Sequence, residues 1–159
     1  MDLLHSIFNA IAGEFSDLPD VERFVQLVVR LTAALVLGGA LGYEREHAGK
    51  QAGMRTHMLV ALGAAMFILV PDQAGADNAA ISRILQGLIA GIGFLGGGTI
   101  LKLTDHAEVR GLTTAAGIWL TAAIGVAVGM GRILTATIAT VLALLVLIVH
   151  PHVFGRGKS

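Results

Sequence analysis

The stretch Gly42-Tyr-Glu-Arg-Glu-His-Ala-Gly-Lys-Gln-Ala-Gly-Met-Arg-Thr-His57 is the most chemically dense part of this 159-residue chain. Glu44 and Glu46 offer carboxylate oxygens to a hard cation, and His47 and His57 add imidazoles. Magnesium keeps several waters and takes only one or two protein carboxylates, so two glutamates fall within its habits. Arg45, Lys50 and Arg55 stand among those acids, however, and neutralise them first. The charges therefore favour an ion-paired collar, with a metal site as the alternative and no cofactor expected. His150 and His152 repeat a metal-ligand spacing near the end of the sequence, a weaker signal. No nucleophile–base–acid set, zinc motif or phosphate loop occurs, and no enzyme is expected.

A second group stands out for where it lies. Arg83 and Gln86 fall near the start of one apolar run, on a face with Ala90, Gly93 and Gly97, and Arg30 lies about two turns inside another. An arginine at the centre of a membrane helix costs about 2.5 to 3.5 kcal/mol even on lenient scales, which marks such residues as functional candidates. Long side chains near a boundary also reach water by snorkelling. Arg83 favours a specific role, with Asp77 as its candidate partner. Arg30 favours snorkelling or a structural ion pair. Gly91-x-Gly93-x-x-Gly96 matches a dinucleotide fingerprint, but that motif needs a preceding strand and an acid about 20 positions on. Here the glycines lie inside an apolar run and Trp119 stands near where the acid belongs, so the nucleotide reading fails.

The elements that must carry these residues are membrane helices. The chain is 55% hydrophobic and 14% charged, against roughly 25% charged in an ordinary soluble domain. Zero net charge excludes a general nucleic-acid binder. Five apolar spans follow, at about 24–43, 56–70, 81–101, 112–130 and 133–150. Crossing the hydrocarbon takes about 20 residues, so the second, ending before Pro71, is short. Ahead of them Leu3, Leu4, Ile7, Phe8, Ile11 and Phe15 recur at helical spacing, the mark of a helix lying on the membrane surface. The expectation is an all-α membrane protein with an N-terminal amphipathic interfacial helix (1–20). Five transmembrane helices (24–150) and a short cytoplasmic tail (151–159) follow it in the lipid bilayer. Lysine and arginine cluster after spans one, three and five, which places the N-terminus outside and the C-terminus in the cytoplasm.

Small residues mark where helices touch. Gly38 and Gly42, Gly87 and Gly91, Gly93 and Gly97, and Gly125 and Gly129 each stand four apart, the spacing that lets backbones approach closely in lipid. Thr114, Gly117, Thr121 and Gly125 form another small stripe, with hydroxyls able to donate across a contact. Packing within one bundle and joining two protomers as a homodimer use the same physics, and both stay open.

Several blocks resemble one family in order and spacing. Arg30 with Gly42-Tyr-Glu-Arg-Glu46, Ala52-Gly-Met-Arg-Thr-His-Met-Leu-Val60, Ser82-Arg83, Gly91-Ile-Gly-Phe-Leu-Gly96 and Gly111-Leu-Thr-Thr-Ala-Ala-Gly-Ile-Trp119 are similar to the successive motifs of the MgtC/SapB family. The resemblance implies a bacterial inner-membrane protein with a five-helix membrane domain, linked to growth under magnesium limitation and, in some pathogens, to survival inside host cells. It also implies action on other membrane machinery, such as the proton-driven ATP synthase. Its characteristic polar residues fall at Arg30, Glu44, Arg45, Glu46, Arg55, Thr56, His57, Arg83, Thr113 and Thr114. Ending at Ser159, the chain reads as a short form without the soluble C-terminal domain of longer members. Two functions follow: a regulator of a partner membrane complex, or an ion transporter for magnesium, protons or an anion. The transporter's path would run past Arg83, Gln86, Thr113 and Thr114.

Overall fold

The computed structural model describes residues 2–14, 20–102 and 109–154. Six helices run in the order α1 (Asp2–Glu14), α2 (Val21–His47), α3 (Met54–Gln73), α4 (Asn78–Gly97), α5 (Leu112–Gly129) and α6 (Ile133–Phe154). Four of them, α2 to α5, are long and apolar enough to cross a membrane, and α6 adds the apolar stretch Ile133–Ile148. The amphipathic segment forms α1, with Leu3, Leu4, Ile7, Phe8 and Ile11 exposed; Phe15 lies outside the described residues.

Local chemistry sets several boundaries. The Asp20 carboxylate accepts from the Arg23 N–H at 2.7 Å and starts α2 three residues before the predicted span. Asp77 caps α4 in the same way, through the Ala80 N–H at 2.7 Å. Such caps satisfy backbone donors that have no partner within the helix. The expected short second span is corrected. Helix α3 has 20 residues and runs through Pro71. Proline removes one hydrogen bond to the carbonyl four residues back, and so close to the end of α3 the helix tolerates that loss. At the other end of the chain, α6 continues past position 150 to Phe154, so 151–154 is helix rather than tail.

The connection between α4 and α5 holds a feature the sequence reading passed over. Leu101–Lys102 and Val109–Arg110 form a two-stranded antiparallel ribbon, β1 and β2, pairing Leu101 with Arg110 and Lys102 with Val109. Gly111 ends it with φ of 94° and opens α5.

Helix α3 is the centre of the bundle, clasped between α2 and α5. A Cβ on Gly38 would lie 2.7 Å from the His57 carbonyl oxygen, and one on Gly42 2.5 Å from the Met54 Cα. From the other side, Gly125 sits against Ala61 and Ala64, and Gly129 against Ala65 and Ile68. Ala61 and Ala65 are fully buried between these pairs. Removing side chains from both partners brings the backbones into direct contact, which gains dispersion energy that lipid cannot match. Helix α6 packs on α2 and α5, whereas α4 touches mainly α5 and the edge of α3.

Two of the four glycine pairs therefore serve packing within the chain. The other two do not: nothing stands within 4 Å of a Cβ placed on Gly87, Gly91, Gly93 or Gly97. The contact of α4 is made instead by Gly96, against Ala115.

Candidate functional site

The dense loop lies where α2 ends and α3 begins, and each acid in it is already engaged. Arg45 is only 3% exposed, and its Nε and Nη2 donate to the two carboxylate oxygens of Glu44, the Nη2–Oε1 distance being 2.6 Å. This two-point geometry is the strong form of a guanidinium–carboxylate pair. Glu46 does a different job. Helix α3 opens at Gly53, which has no side chain to cap it, and Glu46 reaches across the loop so that Oε2 accepts from the Met54 N–H at 2.9 Å. The collar is thus one ion pair and one cap.

The histidines separate. His47 is exposed, with its ring beside Tyr43 and Nδ1 3.0 Å from the Tyr43 carbonyl. His57 points the other way and is 0% exposed, with Nδ1 2.7 Å from Thr121 Oγ1 on α5. Glu44, Glu46, His47 and His57 are not gathered round one point, and among the described residues no group of three potential metal ligands occurs. The side chains of His150 and His152 lie outside the described residues.

The threonine stripe behaves only partly as expected. The Thr121 hydroxyl donates to Gly117 of its own helix at 2.8 Å and stands 2.7 Å from His57 Nδ1 across the contact. Thr140 likewise bonds back to Ala136 in α6. Thr114 is buried, while Thr113, Arg55 and Thr56 are exposed at the same end of the bundle.

At the opposite end, Arg30 is half-buried and, among the described residues, forms no ion pair. Its Nη1 donates to the Gly129 carbonyl at 3.0 Å, and the guanidinium packs over Gly131 in the turn from α5 to α6. A cation at a helix C-terminus faces the negative end of the dipole and satisfies a carbonyl left open there. Replacing it, as Arg30→Met, is expected to cost about 1.5 to 3 kcal/mol, the worth of a charged hydrogen bond. The checking measurement is the thermal unfolding midpoint in detergent; an unchanged midpoint would show the contact to be incidental.

Arg83 and Gln86 are exposed on α4. The expected Asp77–Arg83 pair does not form, because the Asp77 carboxylate is turned onto its own helix as the cap. Nor does the structure bring Arg83 and Gln86 to Thr113 and Thr114. The threonines open α5 beside the far end of α4, where Gly96 meets Ala115. From Arg83 to that end is about 20 Å at 1.5 Å per residue.

Sequence reasoning singled out Arg45 among the acids it pairs with, and also Arg30 and His57, but it did not join those two to the groups they meet. Thr121 and Gly129 lie 64 and 99 positions away from His57 and Arg30, too far for any local signal. Gly111 was quoted only within a motif, and a ribbon this short leaves no periodic pattern to read.

These features define a multi-pass helical membrane protein with a glycine-clasped central helix and a polar collar at one end. The chain belongs to the MgtC family, whose model matches residues 31–155. It is 45% identical to the protein SrpB of Synechococcus elongatus over 132 residues, 76% of this chain and 72% of SrpB. It is 40% identical over 129 residues to the putative magnesium transporter YhiD of Escherichia coli K12, covering 77% of this chain and 59% of YhiD. Against the protein MgtC of Brucella abortus it is 44% identical over 111 residues, covering 70% of this chain and 45% of that protein. No solved structure gives a significant match.

Proposed function

We propose that this protein is a non-enzymatic component of the bacterial inner membrane that supports adaptation to low magnesium by docking on a partner membrane complex through α4. The observation that carries the reading is the open face of that helix. Gly87, Gly91, Gly93 and Gly97 have nothing against a Cβ placed there, Phe94 is 83% exposed, and Arg83 and Gln86 are exposed. Small residues of this kind let a second helix approach closely, and a polar pair at membrane depth is stabilised by a polar partner. Family membership supports the magnesium link. In this reading five helices cross, α1 lies in the interface, and the collar end with Arg45, Lys50 and Arg55 faces the cytoplasm, as the positive-inside rule favours.

A second reading, an ion transporter, is favoured by the name of the Escherichia coli relative, a putative magnesium transporter. Against it, the core around α3 is closed by alanine, leucine, isoleucine and valine. Of the polar residues first assigned to a path, Arg83 and Gln86 lie towards one end of α4, while Thr113 and Thr114 lie on α5 beside its other end.

The test is growth of a deletion strain at low magnesium, complemented with wild type, Gly91→Leu or Arg83→Ala, together with flux measurements in proteoliposomes. Both variants are expected to reach the membrane at normal levels, fail to support growth, and show no selective flux, nor should wild type. Intact growth with both would remove α4 as the docking face. Flux of magnesium, protons or chloride that Arg83→Ala abolishes would establish the transporter instead. Cross-linking from position 91 that captures only a second copy would make the face a homodimer contact.

A further inference from the structure

A polar cavity of about 230 Å³ opens between α2 and α3 at the end of the bundle away from the collar. Helix α2 contributes Arg23 and Arg30 to its wall, and α3 contributes Asp72 and Gln73. The buried Leu69 and the half-buried Leu27 give it an apolar base. The space exists here because the glycine clasp does not reach this far. Gly38 and Gly42 bring α2 onto His57 and Met54 at the start of α3, and neither helix carries a glycine in the stretch that lines the cavity. Val21 opens α2 and Gln73 closes α3 at this level, so in a membrane the cavity lies at the depth of the headgroups.

Opposite charges share this space without meeting. Among the described residues the ion pairs are Arg23–Asp20 and Arg45–Glu44, so Asp72 pairs with neither arginine of the cavity. The Arg23–Asp20 contact is loose, at 3.8 Å between exposed groups, and pairs of that kind contribute little. Arg30 is anchored through Nη1 on the Gly129 carbonyl. Its Nε and Nη2 have no protein acceptor, and neither is sealed from accessible space. A guanidinium carries five N–H donors, so the anchor leaves several for an occupant. What the two helices lack between them is an anion for the arginines of α2 and a cation for the carboxylate of α3, joined in one small group.

We propose that this cavity binds the zwitterionic phosphoethanolamine headgroup of a phospholipid, its phosphate accepting from Arg30 and Arg23 and its ammonium donating to Asp72. The planar fork of arginine matches phosphate oxygens. A primary ammonium has three N–H donors, enough for the carboxylate and for the Gln73 amide oxygen. The volume is below the roughly 300–1,000 Å³ of a drug-sized site, which gives room for one headgroup while the acyl chains stay outside in the bilayer. Polar pockets between membrane helices at headgroup depth are where lipids are recognised individually. The site makes no use of the open face of α4.

The test is native mass spectrometry of the full chain, delipidated in an uncharged detergent and titrated with dioleoyl lipids that differ only in headgroup. Phosphatidylethanolamine is expected to saturate at one per chain. It should bind about tenfold more tightly than phosphatidylcholine, whose quaternary nitrogen has no N–H for Asp72. Phosphatidylglycerol, with no cation, should also bind more weakly. Asp72→Asn should lower phosphatidylethanolamine to the level of phosphatidylcholine and leave phosphatidylcholine itself unchanged. Arg23→Gln keeps the backbone N–H that the Asp20 cap uses and should weaken both lipids several-fold. Both substitutions fall on exposed residues and should keep the wild-type unfolding midpoint. Glycerophosphoethanolamine that displaces the lipid mole for mole would support the site and assign it to the free headgroup. Equal binding of phosphatidylethanolamine and phosphatidylcholine overturns the proposal, as does a preference that survives Asp72→Asn. Tighter binding of phosphatidylglycerol than of phosphatidylethanolamine overturns it too, by reducing the cavity to a cationic patch.

Discussion

A single methyl group added at position 125 is expected to destabilise this protein by about 3 kcal/mol or more, the upper range for overpacking a closed core. The same change at position 91 should be neutral or mildly stabilising. The Gly125 Cβ site is already occupied by the Ala61 carbonyl, with Ala64 Cβ at 2.9 Å, and backbone on both sides cannot yield as a flexible side chain does. Relief requires α5 to move off α3, which also loosens Gly129 from Ala65 and Ile68. Gly91 has nothing within 4 Å, so alanine there adds only its better helix propensity, about 0.8 to 1 kcal/mol on scales from soluble hosts. Thermal unfolding of Gly125→Ala and Gly91→Ala in one detergent gives the comparison directly. Equal midpoints would mean that α3 and α5 do not meet as described.

Gly111→Ala carries the other large expected effect, because two independent penalties fall on one atom. With φ of 94°, position 111 is in the left-handed region, where a residue with a Cβ costs roughly 1 to 2 kcal/mol. That Cβ would also run into the Thr99 carbonyl and approach Ile100 Cα at 3.2 Å. With overpacking at about 1 to 3 kcal/mol, the sum is large enough to separate the β1–β2 ribbon. The expected result is poor accumulation in the membrane and rapid proteolysis within the loop between α4 and α5. Wild-type protease resistance of Gly111→Ala would show that this turn is free to rearrange.

Much of the helical framework was legible, for a physical reason that acts locally. A segment in lipid must satisfy its own backbone, so long apolar runs become helices whatever they pack against. Caps such as Asp77 also act within one turn, but here locality misled: an acid near Arg83 suggested an ion pair, when the nearest unpaired donor was the Ala80 N–H. Pro71 misled similarly, since its effect depends on how many residues of helix follow it.

Composition and spacing by themselves determined a helical membrane chain, the approximate course of its apolar helices, and which glycines are able to sit at a contact. Gly38 and Gly91 are alike in sequence, each one of a pair four residues apart inside an apolar run. Only the tertiary structure decided that Gly38 holds α3 while Gly91 faces outward, that Glu46 caps a helix, that Arg30 closes the α5–α6 turn, and that His57 meets Thr121. Each of those outcomes depends on an atom supplied by another element, up to 99 positions away. Contacts at that range are set by how whole helices fit together, and no local pattern encodes them.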